Sequence, residues 1–284
     1  MISIGDYIDG EKFEKIADFS FGDKYTYQKP LYPKILYNFL KSFEKTKLPI
    51  IYVDSDRVRE FFSIIQDYND SQFILLSHNG DTTFNEIDVS NKPKCIVKWF
   101  GQNINFKNNE FIISLPIGLE RPHWSLTRYG ENGYKHKKVY EYSKINFKKN
   151  KLCYLNFNPD TNKNKRNQVL SYFRDKTFCN IRLGGINGNL DSYFKECRES
   201  HFVLCPDGNG MDCHRNWEML YLGVIPIIEQ SPFHSEIYGD LPVLIVDSFE
   251  NVDENYLNQR IDDGTKSFNY EKLKFSFWNK LIKN

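Results

Sequence analysis

Short apolar runs alternate with polar stretches of helical periodicity from about residue 50 to residue 246. That rhythm belongs to layered α/β architectures, in which strands buried on both faces read as continuous apolar runs and helices supply the crossovers between parallel neighbours. Strands are expected over 50–53, 73–77, 95–99, 111–114, 151–155, 180–182, 202–204, 225–228 and 243–246. Between them, segments 57–68, 165–175, 190–200 and 213–222 carry apolar residues at helical spacing. Open sheets of this class bind ligands outside the carboxyl ends of their strands, so the loops after the strands are where chemistry is expected.

A chain of 284 residues divides naturally into two such units. Residues 129–150 are rich in Lys, Tyr and Asn with little apolar periodicity, and they set the boundary near residue 147. Residues 1–147 and 148–266 then form two domains, and the aromatic, lysine-spaced segment 267–284 is expected to pack a helix back across them. Balanced charge, 38 basic against 37 acidic side chains, provides no field for a nucleic acid or an anionic membrane. No stretch approaches the about 20 apolar residues of a membrane span, and Asp6, Asp9 and Glu11 break up any signal-like run at the start. Six cysteines without a C-x-x-C pair read as thiols. The expectation is a cytoplasmic protein of a bacterium or of a virus-infected cell.

The run FVLCPDGNGMDCHRNWEMLYLGVIPII, residues 202–228, carries most of the chemistry. It reads as a buried strand, a loop containing Gly208, Asn209 and Gly210, a helix capped near Asp212, a glycine stop at Gly223 and a second buried strand. Trp217, Leu220 and Tyr221 are expected to face the core. Glycines admit a phosphate close to the backbone, a helix start offers free N–H groups and positive potential, and Arg215 adds a fixed cationic fork. Glu218, three residues on and on the same face, is placed to accept from two ribose hydroxyls. Such a set would stabilise the charge developing on a departing nucleoside diphosphate without a metal.

These residues resemble the exostosin-like glycosyltransferases, whose pattern runs F-x-L-x-P-x-G, R-x-x-E, G-x-I-P-V-I. Here the matching positions are Phe202, Leu204, Pro206, Gly208, then Arg215, Glu218, then Gly223, Ile225, Pro226, Ile227 and Ile228. The resemblance implies a GT-B fold, two Rossmann-like domains facing a central cleft, with the nucleotide-sugar held by the second and a glycan or glycoconjugate acceptor by the first. It also implies transfer with inversion. A weaker likeness covers residues 154–157 and Arg166, which together look like the opening of the donor domain; Arg182, before a glycine-rich stretch at 184–188, joins Arg166 as a further candidate donor contact.

Inverting transfer requires a base for the acceptor hydroxyl. Asp81, then His78, are the candidates, because LLSHNGDTT places both in the loop after an expected strand, although Asn79-Gly80 alone would also mark a plain turn. His123 follows another expected strand and is a third possibility for the same wall. A competing reading takes Asp54 and Asp56, the D-x-D after residues 50–53, as the cation ligands of a metal-dependent GT-A enzyme. The alternative for the pair is helix capping before Arg57. Cys205, Cys213 and His214 lack the paired spacing of a zinc site, so no metal is expected. A non-catalytic nucleotide-sugar-binding module is the remaining rival, since neither a nucleophile elbow nor a Walker loop occurs.

Overall fold

A computed structural model of the chain describes residues 2–21, 33–42, 48–68, 70–131, 134–183, 189–261 and 267–284. Two five-stranded sheets dominate it, and every strand pair is parallel. The first contains β1 (Phe19–Phe21), β2 (Ile50–Asp54), β3 (Phe73–His78), β4 (Ile96–Gln102) and β5 (Ile112–Leu115); the second contains β6 (Lys151–Leu155), β7 (Cys179–Ile181), β8 (Ser200–Leu204), β9 (Ile225–Glu229) and β10 (Leu244–Val246). All the expected strands are present. The one missed, β1, is a three-residue edge strand, too short to show a period.

The two sheets are wound differently. In the first, spatial order follows chain order from β1 to β5. Right-handed crossovers then put the connecting helices on one face. Leu36 and Leu40 of the helix Pro33–Ser42 and Val58, Phe61, Phe62 and Ile65 of the helix Val58–Ile65 accordingly pack on Ile51, Val53, Phe73, Leu75 and Trp99. In the second sheet the order is β7-β6-β8-β9-β10, a doubly wound arrangement whose direction reverses between β6 and β8. A reversal of this kind leaves a crevice beyond the carboxyl ends of the two central strands.

Because successive strand residues point to opposite faces, each sheet feeds two cores. Ile50, Tyr52, Leu76, Phe100 and Leu115 from the first sheet share a single continuous core with Tyr154, Val203, Ile228 and, from the helix His214–Leu222, Trp217 and Tyr221. On its other face the second sheet packs Cys153, Leu155, Phe202, Leu204 and Ile227 against Val169, Phe173 and Leu257. The lobes are therefore fused through an apolar layer, not merely tethered.

The segment expected to be an aperiodic linker holds a helix, Lys135–Lys144, with Lys135, His136 and Val139 buried. Its polarity concealed it: this helix buries two ionisable residues in its first turn, each paired, so no apolar stripe marks it. Near the chain ends, the helix Phe275–Lys283 packs its Phe275 edge-on to Phe13 at 5.3 Å, and Asp6 accepts from the Ser276 backbone N–H at 2.7 Å. Tyr221 donates to the Leu273 carbonyl at 2.8 Å and accepts from the Ile8 N–H at 3.0 Å, joining both ends of the chain to the second lobe. No helix among the described residues is long and apolar enough to cross a membrane.

Candidate functional site

A cavity of about 550 Å³ opens between the lobes at the strand-order reversal. Asp81 after β3 and Ile117 after β5 line one side; Asn158 after β6 and residues 208–210 and 212–215 after β8 line the other. Both sheets thus turn their carboxyl ends to the same space.

Gly208 and Gly210 are favoured by close approach and not by backbone conformation, since the positive-φ glycines among the described residues are Gly118, Gly130 and Gly223. A Cβ on Gly210 would lie 2.7 Å from Asn103 Nδ2, and one on Gly208 would lie 3.1 Å from the Arg166 guanidinium. The helix that follows, His214–Leu222, starts one residue later than expected, with Cys213 as N-cap and no side-chain cap. Asp212 is not the cap, because its carboxylate is taken up elsewhere: it accepts from Ile117 N at 2.7 Å, from Trp217 Nε1 at 3.1 Å and from the Tyr238 hydroxyl. It serves as a buried anchor between lobes, and the helix start is left to face the cavity without a capping side chain. Gly223 does close the helix in the left-handed conformation, φ 67°.

Arg215 and Glu218 both line the cavity, yet they do not pair with each other. Glu218 is buried; Oε1 accepts from Lys135 Nζ at 2.9 Å and Oε2 from the Tyr193 hydroxyl at 2.9 Å. Burial works to raise its pKa, but Lys135 outweighs that and holds the carboxyl below its usual range. Arg215 has no ion-pair or hydrogen-bond partner among the described residues, and its Nε is buried without one. Arg166, also buried, donates to the carbonyls of Asp207 at 2.9 Å and Asn158 at 2.8 Å and to the Thr161 hydroxyl, and to no carboxylate among the described residues. Burial and then the neighbouring Arg215 lower its pKa. Two guanidinium groups thus face one cavity without a carboxylate of their own, an arrangement that is costly unless an anion completes it.

Of the groups expected from the first lobe, Asp81 lies at the cavity and is exposed, whereas His78 sits behind it, buried. His78 Nε2 bonds the Pro116 carbonyl at 3.0 Å, Nδ1 has no partner and faces Gly10, and burial pushes the imidazole down to about 3. Asn79 takes the left-handed conformation, φ 66°, in the turn that Asn79-Gly80 announces. Asp54 accepts from Asp56 N at 3.1 Å, and Asp56 Oδ1 accepts from Asp81 N at 2.9 Å and from Thr82 N and Oγ1 at 2.9 and 2.7 Å. Asp54 thus caps the turn Ser55–Arg57, as the capping alternative expected, and Asp56 secures the loop that carries Asp81.

Arg182 is not brought to the cavity. It donates to Ser192 Oγ at 2.7 Å and to Glu196 at 3.0 Å, and β7, which it follows, is the edge strand one position outside the reversal. The glycine-rich stretch 184–188 lies outside the described residues. His123 is exposed on the helix Pro122–Tyr129, away from the cavity wall. Several cavity residues escaped the sequence reading. Lys135 was hidden in the apparent linker, Tyr193 looked like a core aromatic, and His214 passed for a helix-start residue, although its position beside Arg215 was a usable signal.

No protein-family model matches the chain and no curated protein is detectably similar to it.

Proposed function

We propose that this protein is a glycosyltransferase of GT-B type that moves a sugar from a nucleotide-diphosphate sugar to a hydroxyl of a glycan or glycoconjugate, with inversion and without a metal. The observation that carries the reading is the pair Arg166 and Arg215, both without a carboxylate partner, beside the close-packed Gly208–Gly210 loop and a helix start with no side-chain cap. A diphosphate supplies the missing negative charge, and backbone N–H groups at the helix start complement it. As the bond from the anomeric carbon to the phosphate oxygen breaks, the same groups stabilise the electron pair that leaves with the nucleoside diphosphate. Glu218, with each oxygen already accepting one protein donor, retains lone pairs for a ribose hydroxyl. Asn209 lies at the tip of the loop over the same cavity.

The first lobe would present the acceptor. Of the two groups expected to act on its proton, Asp81 reaches the cavity and His78 does not. The D-x-D reading is disfavoured because Asp54 and Asp56 already accept hydrogen bonds from their own loop. The test is a calorimetric and thermal-shift screen against UDP, GDP, CMP and dTDP, with and without divalent cations, followed by the matching sugar donors. Binding of one nucleoside diphosphate in EDTA supports the proposal; binding of none ends it.

A further inference from the structure

Beside the main cavity lies a smaller polar recess of about 180 Å³, lined by Gly10, Asp56, His78, Asn79, Asp81 and Arg121 among others. His214 lines both spaces and forms part of the wall between them. Its ring is held by one contact, Nδ1 to the Gly118 carbonyl at 2.8 Å. A carbonyl can only accept, so Nδ1 carries the proton and Nε2 of the neutral ring carries a lone pair. No hydrogen bond to Nε2 is made among the described residues, and the side chain is half-buried, not sealed. His78, the other histidine on the recess wall, has the opposite arrangement: its bonded nitrogen is Nε2, its Nδ1 lies against Gly10 without a partner, and its side chain is almost wholly buried and does not reach the main cavity.

We propose that His214 Nε2 is the base of the transfer reaction and that the small recess holds the hydroxyl-bearing end of the acceptor. This rests on the glycosyl-transfer reading above. The recess is smaller than the about 300–1,000 Å³ of pockets that enclose a whole ligand, so it takes one terminal unit. Two of its charged groups are already engaged, Arg121 by Glu14 at 3.0 Å and Asp56 by the Asp81–Thr82 loop, which leaves the exposed Asp81 carboxylate on its wall, so it suits a neutral, hydroxyl-rich unit and not an anion.

In the step itself, Nε2 takes the proton of the acceptor hydroxyl while that oxygen bonds to the anomeric carbon. The bond from that carbon to the phosphate oxygen breaks, and its electron pair leaves with the nucleoside diphosphate. The imidazolium then returns its proton to solvent. Arg215, the next residue, binds the leaving group, so the donor and the base are set by one turn of one helix. Burial and then Lys135 hold the His214 pKa below its ordinary value, with Glu120 and Glu218 opposing, so the ring is neutral and ready to accept at neutral pH. Asp56, His78, Asp81 and Arg121, on the recess wall, are the other titratable and charged groups close by.

The variant that isolates the role is His214→Asn, whose amide N–H keeps the bond to Gly118 and has no basic nitrogen; Asp81→Asn is the comparison. Both are assayed with the sugar form of whichever nucleotide binds the wild type, on a panel of methyl glycosides, with nucleoside diphosphate affinity measured by calorimetry. Loss of the base should lower kcat by about 10²–10⁴-fold, leave nucleotide affinity near that of the wild type, and remove the acid limb of the pH–rate profile. Asp81→Asn should show a smaller loss, carried in KM. If His214→Asn turns over like the wild type while Asp81→Asn does not, the inference is overturned and the donor site stands. If the wild type binds no nucleoside diphosphate, the reading beneath it fails and the inference with it. Should His214→Asn fail to fold, the ring ¹⁵N shifts of the wild type decide: a pyridine-like Nε2 at neutral pH is expected, and a protonated Nε2 overturns the proposal.

Discussion

Lys135 and Glu218 meet Nζ to Oε1 at 2.9 Å with both side chains almost wholly buried, although one precedes the second sheet in the chain and the other follows β8. Glu120 lies 3.4 Å from the same ammonium. Removing one member of a buried pair strands the other, so Glu218→Ala should cost about 3–5 kcal/mol in urea unfolding. The double variant Lys135→Met, Glu218→Leu should recover most of that loss. If the single variant is as stable as the wild type, the pair is not the internal strut described above.

The same pair fixes a pH dependence. The folded pKa of Glu218 lies below its ordinary 4.5, so its contribution is present above pH 4.5 and lost as pH falls through the depressed value. Lys135 has its pKa raised above 10.5, against burial, by Glu218 and Glu120, so its contribution is complete below pH 10.5 and lost as pH rises through the raised value. Stability of the wild type relative to the double variant should therefore be flat between these limits and shrink on both sides, as read from unfolding midpoints across pH.

Arg215 gives the opposite signature to a structural arginine. With no partner among the described residues to lose, Arg215→Met should leave the ligand-free melting temperature unchanged or raise it. A charge-assisted hydrogen bond contributes about 1.5–3 kcal/mol, so nucleoside diphosphate affinity should fall by about one to two orders of magnitude in calorimetry. A clear drop in stability with unchanged affinity would mean that the guanidinium supports the fold and not a ligand.

Asp56 separates loop capping from cation binding. Asp56→Asn keeps a carbonyl oxygen for the Asp81 and Thr82 donors and should retain most activity; Asp56→Ala, which frees the loop, should not. Activity should persist in EDTA. Equal loss in both variants together with EDTA sensitivity would restore the metal-dependent alternative.

Gly118 joins strain to site geometry. It has φ +69°, a Cβ there would lie 2.3 Å from the Ile8 carbonyl oxygen, and its own carbonyl holds His214. Gly118→Ala should cost at least about 1–3 kcal/mol for the backbone conformation alone. At about 2–4 °C per kcal/mol for a chain of this order, calorimetry should show a drop of several degrees.

The parts of this protein that were legible in the sequence are those governed by local pattern. Lys151–Leu155 and the core of every strand from β2 to β10 could be read because apolar runs flanked by polar punctuation are a local signal. Gly223 was legible because a left-handed residue after a helical run favours glycine. What could not be read depends on partners far away in the chain. Asp212 has the composition of a cap, yet Ile117 and Tyr238 claim its oxygens, and nothing near position 212 announces them. Lys135 and Glu218 are 83 residues apart, so although Glu218 stood out in the sequence, its partner did not. Arg182 misled because a cation after a strand is common, and only strand order reveals that β7 lies outside the reversal.

The clasp at the chain ends limits how the molecule can breathe. Asp6 holds Ser276, and Tyr221 ties both Ile8 and Leu273, so the lobes are bridged at the connector and again by the paired termini. A scissoring motion about one hinge would tear those contacts, so exchange at the cavity is expected to proceed by side-chain movement at its mouth while the body of the molecule stays still.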